Sequence, residues 1–481
     1  MNVDMLVPII GDWNGNGRPL NESLADAIAA AVQRGELEPG IVLPAERMLA
    51  RSLNVSRGTV VAAYRRLRHQ GLASTRHGSG TTIDGDIQTS RDAKVSLAVN
   101  LLQRYEDDVL LFRSADWTGD QGFSPDSFAS AITTLTSLST TPGYYPTGLP
   151  ELREAIAARF EQIGLPTTPE QILVTNGAQQ AIAVLVELLV TPGAPVVVER
   201  LTYPGALDTL RFAGATLHAA PMTLTGVDVP ALERAVARHR PVMTYVVPGV
   251  HNPTGVLLPR LARRRIAEMM SDSDTILVED LSLAETQLDA DVVPPIASYA
   301  DRDAALRIVS VGSLSKLSWS GLRIGWIRAP VQLIGRLTRH KLLADLGTSV
   351  PSQVLAAQLL ERADELRQRR IAGIRERLDV LTTELARQIP SWTWTPAAGG
   401  LCLWVRIGGD SSTRFAPIAL RHGIAIAPGT VSAADGGAVD HIRLPLGHPP
   451  DVLREAVRRL AAAWRNDNGD YPGCGRDDVI V

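Results

Sequence analysis

One lysine stands in a setting that favours covalent chemistry. Lys316 follows an apolar, strand-like run and lies in a turn rich in glycine and serine. A lysine amine reacts with carbonyl groups when its proton is easily lost, which burial or a nearby cation promotes. Arg323, just downstream, would supply that cation. The segment therefore predicts a lysine that forms a Schiff base.

The same stretch carries groups that bind phosphate. The hydroxyls of Ser313 and Ser315, the N–H groups of the turn and the Arg323 guanidinium can together hold an anion. A carbonyl-reactive lysine beside a phosphate site indicates pyridoxal 5′-phosphate (PLP). Residues 313–325 also resemble the fold-type I aminotransferase signature S-x-S-K-x-x-x-x-G-x-R-x-G at every fixed position. The resemblance implies that Lys316 is the catalytic, cofactor-holding residue. The competing interpretation is a surface lysine in a Ser/Gly loop.

Other segments resemble the rest of that cofactor site. The TNGAQ sequence at 175–179 joins a strand to a helix, where free N–H groups and the positive end of the helix dipole attract an anion. The resemblance assigns the cofactor phosphate to six residues: Gly177, Ala178, Gln179, Ser313, Ser315 and Arg323. It also implies that Tyr203 stacks on the cofactor ring.

Later positions match the remaining family roles. By resemblance, Asn252 in the NPTG sequence donates to the phenolic oxygen of the cofactor, and Asp280 pairs with the pyridine nitrogen. A carboxylate at that nitrogen keeps the ring protonated and able to accept electrons. Arg443 would bind a substrate or effector carboxylate, and Tyr144 would reach the phosphate of a neighbouring subunit. Each residue alone has an ordinary explanation as a cap, turn or strand residue, but their order and spacing favour a PLP site.

One position departs from the family pattern. A tyrosine usually follows the aspartate by two or three positions and bonds to the cofactor phenolate, whereas this chain reads EDLSL at 279–283. Either Ser282 replaces that donor weakly or Asn252 holds the oxygen alone. A missing donor changes the pKa of the Schiff base. The departure favours a site that senses more than it turns over.

The N-terminal region has the pattern of a DNA-binding domain. Residues 1–17 are expected to be an irregular lead-in. An apolar stripe predicts a helix from Leu20 up to Gly35, and a second helix is expected over 44–53. Ser56 would cap a third helix, whose apolar face comprises Val60, Ala63, Tyr64 and Leu67. A hairpin over 72–83 completes the parts of a winged helix-turn-helix.

The charge of this region supports contact with DNA. Between Arg18 and Ile83 there are nine arginines, no lysines and five acidic residues, whereas the 481-residue chain has a net charge of −3. A local basic excess is typical of phosphate contact. The region resembles the GntR family through GEL at 35–37, LPAER at 43–47, VSRGTV at 55–60, AYRRL at 63–67 and GSGT at 78–81. The resemblance implies DNA contacts by Arg47, Ser56, Arg57, Thr59, Arg65, Arg76, His77 and Gly80. The alternative is a protein-interaction module whose arginines are solvated.

The rest of the chain predicts an α/β domain. Short apolar strands alternate with helices, which favours a mostly parallel central sheet, and a smaller α/β subdomain is expected over about 392–463. We expect a linker at 84–110, the aminotransferase-like domain at 111–464 and a flexible tail at 465–481. The two cysteines give neither a disulfide framework nor metal-ligand spacing, and the longest apolar run, ten residues, is too short to span a membrane. A cytoplasmic protein is expected.

Together the two regions resemble the MocR/GabR regulators, in which a GntR-like winged helix precedes a fold-type I aminotransferase-like domain. The sequences around Asn252 and Asp280 also resemble those of a YczR-like branch. The resemblance implies a PLP-dependent transcription regulator, a DNA operator, a small amine or amino-acid effector and a domain-swapped homodimer. PLP itself is another candidate signal. A working aminotransferase with an accessory DNA-binding domain stays open, since Lys316, Asp280 and Arg443 are all present.

Overall fold

The chain folds into two compact units, one within residues 1–96 and the other within 97–481. The computed structural model describes residues 3–10, 13, 19–33, 36–37, 40–69, 72–76, 80–83, 108–288, 292–408 and 412–467. No helix in these ranges is long and apolar enough to cross a membrane.

The first unit is a helical bundle with a hairpin. Its elements are α1 (Val3–Ile10), α2 (Leu20–Gln33), α3 (Glu46–Ser52), α4 (Arg57–His69), β1 (Ala73–Arg76) and β2 (Gly80–Ile83). The Ser56 hydroxyl accepts the Thr59 N–H at 3.1 Å and so caps α4 as expected. The predicted apolar face of α4 is fully buried, and the Tyr64 hydroxyl donates to the Pro44 carbonyl at 2.9 Å. The predicted three helices and hairpin are therefore present.

The expected irregular lead-in over 1–17 is wrong in its first half. Helix α1 buries Val3, Leu6 and Ile10 in the core that α2, α3 and α4 form. These residues are three and four positions apart, so they lie on one helix face. A helix this short is marginal alone, and burial of that face against its neighbours stabilises it.

The second unit contains a large and a small sheet. Its strands are β3 (Leu110–Phe112), β4 (Ile172–Thr175), β5 (Pro195–Glu199), β6 (Thr216–Ala220), β7 (Met222–Thr223), β8 (Gly226–Val227), β9 (Met243–Val246), β10 (Ile276–Asp280), β11 (Ile308–Ser313), β12 (Gly325–Arg328), β13 (Thr393–Trp394), β14 (Cys402–Arg406), β15 (Ile424–Pro428) and β16 (His441–Pro445). Its helices are α5 (Pro125–Leu138), α6 (Pro150–Gln162), α7 (Gly177–Leu189), α8 (Pro204–Phe212), α9 (Val229–His239), α10 (Arg260–Ser271), α11 (Val331–Asp345), α12 (Val350–Glu361), α13 (Ala363–Gln388), α14 (Ser412–Arg421) and α15 (Pro450–Asp467).

The large sheet is mostly parallel, as predicted. Its seven strands follow the order β4-β12-β11-β10-β9-β5-β6, and only β12 runs antiparallel to its neighbours. Val196, Val197 and Val198 in β5 are fully buried, although their side chains alternate between the two faces. Separate apolar cores lie on the two faces. An uninterrupted apolar run of this kind is typical of a sheet covered on both sides.

The small sheet orders its strands β13-β14-β16-β15-β3. Its edge strand β3 pairs parallel to β15 and comes from the chain ahead of the large sheet. The predicted linker, 84–110, therefore ends too late by one residue, because Leu110 already belongs to β3; residues 84–107 lie outside the described residues. The predicted tail begins too early, since α15 extends to Asp467, and 468–481 also lie outside the described residues.

Candidate cofactor site and DNA-binding surface

The predicted cofactor residues meet at one edge of the large sheet. Strands β4, β10 and β11 are parallel in direction and end at Thr175, Asp280 and Ser313. Strand β12 runs the opposite way, so Arg323, two residues before it begins, lies at the same edge. Ligands of open α/β sheets bind outside the carboxyl ends of the strands. The topology thus gathers residues that are far apart in the sequence.

Lys316 is held by a segment to which the sequence assigned no role at the cofactor site. Its Nζ donates to the Asp116 carboxylate at 2.9 Å and to the Ala115 carbonyl at 3.0 Å. The Ser320 hydroxyl also donates to Asp116, at 3.0 Å. Burial raises the pKa of Asp116, but the charge and hydrogen bond of Lys316, with hydrogen bonds from hydroxyl groups, bring that pKa below its ordinary value. The lysine therefore lies beside an ionised carboxylate.

The turn before α7 has the shape of an anion cradle. Gly177 has a φ of +80°, and a Cβ at this position would lie 2.6 Å from Nη2 of Arg323. A Cβ on Gly325 would meet the Gly177 carbonyl carbon at 2.5 Å. Arg323, itself left-handed with φ 54°, donates from Nη2 to the Asn176 carbonyl at 3.0 Å. A side chain at 325 would collide with backbone atoms, and one at 177 would displace the guanidinium and strain a left-handed backbone. Helix α7 therefore begins, with its free N–H groups, next to an exposed arginine.

The other predicted phosphate residues lie next to this cradle. The Ser313 hydroxyl donates to the Ile324 carbonyl at 3.1 Å and accepts the Ser315 N–H at 3.1 Å, so it stabilises the lysine turn. Gln179 turns its amide toward α8, where Nε2 donates to the Thr209 hydroxyl at 2.9 Å. The backbone N–H groups of Ala178 and Gln179 belong to the first turn of α7. Contact between these residues and a phosphate stays a prediction.

Asp280 has a buried partner from the neighbouring strand. Its carboxylate is 5% exposed, accepts the Tyr245 hydroxyl at 2.6 Å and accepts the Ser282 N–H at 2.9 Å. Burial and then the Asp280 charge raise the pKa of Tyr245 well above its ordinary value, so this phenol stays a donor. Ser282 uses its N–H on Asp280, and its buried hydroxyl has no hydrogen-bond partner. Tyr245 lies inside an apolar strand, whose residue pattern does not indicate a polar role.

Asn252 and Arg443 lie in contact with each other. Nη1 of Arg443 donates to Oδ1 of Asn252 at 3.2 Å, and Nη2 donates to the Arg113 carbonyl. The Arg443 residue is 6% exposed. Asn252 thereby keeps its amide N–H groups for other acceptors, as the predicted role at a phenolic oxygen requires. The structure brings the arginine predicted to bind a carboxylate into contact with the asparagine predicted to bind the cofactor.

Tyr203 lies among the charges of the site. Burial raises its pKa to about 12, and the Asp280 and Asp116 carboxylates add to the rise, which Arg443 and Arg323 oppose. All four charges therefore act on one phenol. Tyr144 is different, because 68% of its surface is exposed. An exposed position suits its predicted contact with another subunit, which stays untested.

The first unit presents to solvent most of the residues that are predicted to contact DNA. Arg47, Ser56, Arg57, Arg65 and Gly80 are exposed, and Thr59 is half-buried. Arg57 donates to the Glu46 carboxylate at 3.0 Å. The Arg76 side chain and His77 lie outside the described residues. The α4 helix thus carries exposed arginines, with its apolar face turned into the core.

Two family models match the chain. The model of aminotransferase class I and II matches residues 107–460. The model of the bacterial regulatory proteins of the gntR family matches residues 20–83. The matches cover the second unit and the helix-turn-helix of the first.

Relatives fall into enzymes and regulators. A 2-aminoadipate transaminase from Thermus thermophilus is 31% identical over 331 residues, which cover 68% of this chain and 81% of that protein. A protein of Rhizobium meliloti named probable rhizopine catabolism regulatory protein MocR is 28% identical over 399 residues, 78% of each chain. The solved structure of the α-aminoadipate aminotransferase LysN from Thermus thermophilus, complexed with N-(5′-phosphopyridoxyl)-L-leucine, is 27% identical and has a TM-score of 0.69, covering 79% of this chain and 97% of that chain. The chain therefore belongs to the aminotransferase class I and II family, among the MocR-type regulators in which a gntR-family DNA-binding domain precedes the aminotransferase-like unit.

Proposed function

We propose that this chain is a PLP-dependent, sequence-specific transcription regulator in which Lys316 reports the presence of PLP, of an amine effector, or of both. The supporting observation is the position of Lys316. Its amine lies beside an ionised carboxylate at the edge of the sheet that also carries Asp280 and the anion cradle. The same chain presents exposed arginines on the capped helix α4. Binding of a ligand at Lys316 would therefore change how these arginines bind DNA.

The side chains at this edge fit PLP. Without a side chain, Gly177 lets the first turn of α7 lie against the Arg323 guanidinium, and Gly325 lets its strand approach the backbone of that turn. N–H groups and a cation thus come together, which suits a phosphate dianion. Asp280 is a buried carboxylate that accepts further donors, which suits a protonated pyridine nitrogen. Lys316 would hold the aldehyde carbon, and Asn252 the phenolic oxygen. When bound, PLP supplies an electrophilic carbon that exchanges one amine for another.

The effector class follows from Arg443. Arg443, a residue that is 6% exposed, contacts Asn252, and its guanidinium offers a bidentate site for a carboxylate near the reactive carbon. We therefore infer an effector with both an amino and a carboxylate group. Its side chain is not specified by these contacts.

A homodimer is proposed from the surface around α5. Phe123 stacks on Phe128 at 5.3 Å and meets Trp319 edge-on at 6.1 Å. Phe128 is 47% exposed, Trp319 48% and Ile132 63%. A second copy of this chain that packs on this surface would also account for the exposure of Tyr144. In a domain-swapped dimer, two DNA-binding units would read paired half-sites of an operator in the cytoplasm.

An active aminotransferase is the second candidate. Lys316, Asp280 and Arg443 are the groups that transamination needs, and the described site contains all three. The absence of a tyrosine at 281–283 favours sensing. Conversion of an amino acid and a keto acid at ordinary enzyme rates would favour the enzyme.

The first experiment combines a spectrum with DNA selection. We expect the full chain to gain a PLP-dependent absorbance band near roughly 410–430 nm that Lys316→Ala lacks. Selection from a random-sequence duplex library should return a preferred operator, with Arg47→Ala as the weakened control. Operator affinity measured with PLP, and with PLP plus each amino acid, should then change. An affinity indifferent to all of them would contradict the sensing proposal.

A further inference from the structure

Asp345 lies next to the anion cradle, the turn before α7 with Arg323. Its carboxylate accepts hydrogen bonds from two residues, one in that turn and one in the first turn of α7. Oδ2 of Asp345, the last residue of α11, accepts the Asn176 amide at 2.9 Å and the Gln180 amide at 2.7 Å. Gln180 returns a second bond, since its Oε1 accepts the Asn176 N–H at 2.8 Å. Asp345 therefore holds the two residues that flank 177–179, the segment whose N–H groups are predicted to bind the phosphate.

The charge of Asp345 is neutralised by a buried lysine. Nζ of Lys341 donates to Oδ1 at 2.7 Å, and the Lys341 side chain is 1% exposed. The Gly347 N–H donates to the same oxygen at 3.0 Å. Burial raises the pKa of Asp345, but the hydrogen bonds of Lys341 and Gln180 and the Lys341 charge bring it below its ordinary value. The pair has no net charge, so it does not repel a phosphate dianion.

The same network reaches the arginine of the cradle. The Asn176 carbonyl accepts Nη2 of Arg323 at 3.0 Å, and the Asn176 amide is held by Asp345. By holding Asn176, Asp345 thus positions both the start of α7, with its N–H groups, and the Arg323 guanidinium. Donors fixed in place before a ligand arrives lose less entropy when it binds.

We propose that Asp345 is a positioning residue, which fixes Asn176 and Gln180 so that the α7 N–H groups and Arg323 are preset for the phosphate of PLP. Lys341 supplies the matching charge. The proposal rests on the assignment of PLP to this site. It predicts that loss of the Asp345 carboxylate weakens binding of the cofactor phosphate and leaves binding of the aldehyde unchanged.

The test compares PLP with pyridoxal, which has the aldehyde but no phosphate. Each compound is titrated into the full chain after its cofactor has been removed, and binding is measured by the absorbance near roughly 410–430 nm. In Asp345→Asn the dissociation constant for PLP should rise about ten-fold, as expected when a charge-assisted hydrogen bond is lost. The constant for pyridoxal should stay within about two-fold of wild type, as should both constants in Asp272→Asn, the matched control at the end of α10.

A double variant separates positioning from stability. Asp345→Asn leaves the buried Lys341 ammonium without its carboxylate, which destabilises the fold. Asp345→Asn with Lys341→Met removes that charge, so stability should recover while the PLP-specific loss stays. Equal losses for PLP and pyridoxal in the double variant, or no loss for either, would overturn the positioning role. A wild-type protein that gives no band with PLP would overturn the cofactor assignment as well.

Discussion

The contact between Lys316 and Asp116 predicts how fast the protein takes up PLP. A lysine nitrogen attacks an aldehyde only after it has left its other partners, and Lys316 must first break its 2.9 Å ion pair with Asp116. Asp116→Asn removes the charge and keeps the shape of the side chain. We therefore expect the variant to load PLP faster than wild type.

The magnitude follows from Coulomb's law. Two unit charges at 2.9 Å attract by about 1.4 kcal/mol at the dielectric constant of water and by about 6 kcal/mol at an effective value near 20. The Asp116 side chain is 46% exposed, so solvent screening places the pair near the lower limit. A difference of about 1.4 kcal/mol corresponds to a roughly ten-fold faster loading rate at pH 7.5.

The assay is rapid mixing of cofactor-stripped full chain with excess PLP. The rate is read from the absorbance near roughly 410–430 nm. Ser320→Ala is the matched control, because it removes a hydrogen bond to Asp116 and leaves the charge. Its rate should change less than about two-fold. An Asp116→Asn protein that loads at the wild-type rate, or more slowly, would refute the reasoning.

Three further variants test other contacts. Tyr245→Phe removes the 2.6 Å donor to the buried Asp280 carboxylate, and the free energy of unfolding in urea should fall by about 1–3 kcal/mol. Gly177→Ala places a Cβ at a φ of +80° against the cradle, so equilibrium titration should show a PLP affinity reduced more than about ten-fold. Burial and then His239 lower the pKa of His218, so the unfolded state binds more protons below pH ~6.5 and stability falls on acidification. His218→Gln should weaken that fall, measured by urea unfolding at pH 7.5 and 5.5; an unchanged pH dependence would contradict the assigned cause.

The sequence predicted residues at or near the strand ends of the large sheet, because the chemistry of each such segment can be recognised locally. Lys316, Asp280 and Arg323 are such residues, and the structure brings them to one edge. Tyr245 was missed, since a tyrosine suits a buried strand and only the register of β9 beside β10 brings its hydroxyl to Asp280. Asp116 was missed because 200 positions separate it from Lys316 and its segment has no periodic pattern.

Short elements were missed for a similar reason. Strand β3 has three residues, and its partner β15 lies more than 300 positions later. No local pattern encodes such a pairing, which depends on closure of a long loop. Helix α1 was missed because two turns of apolar spacing are a weak signal beside a run of glycine and asparagine.

Strand β3 gives the predicted linker a definite attachment point. It pairs with the small sheet, and Phe112 is fully buried there and stacks on His448 at 4.6 Å. Ala115 and Asp116, a few residues further on, hold the amine of Lys316. The segment 110–116 therefore pairs first with the small sheet and then, a few residues later, forms hydrogen bonds with the reactive lysine. A rotation of the small sheet would displace the end of the linker by the same movement, with no relay through the interior of the large sheet.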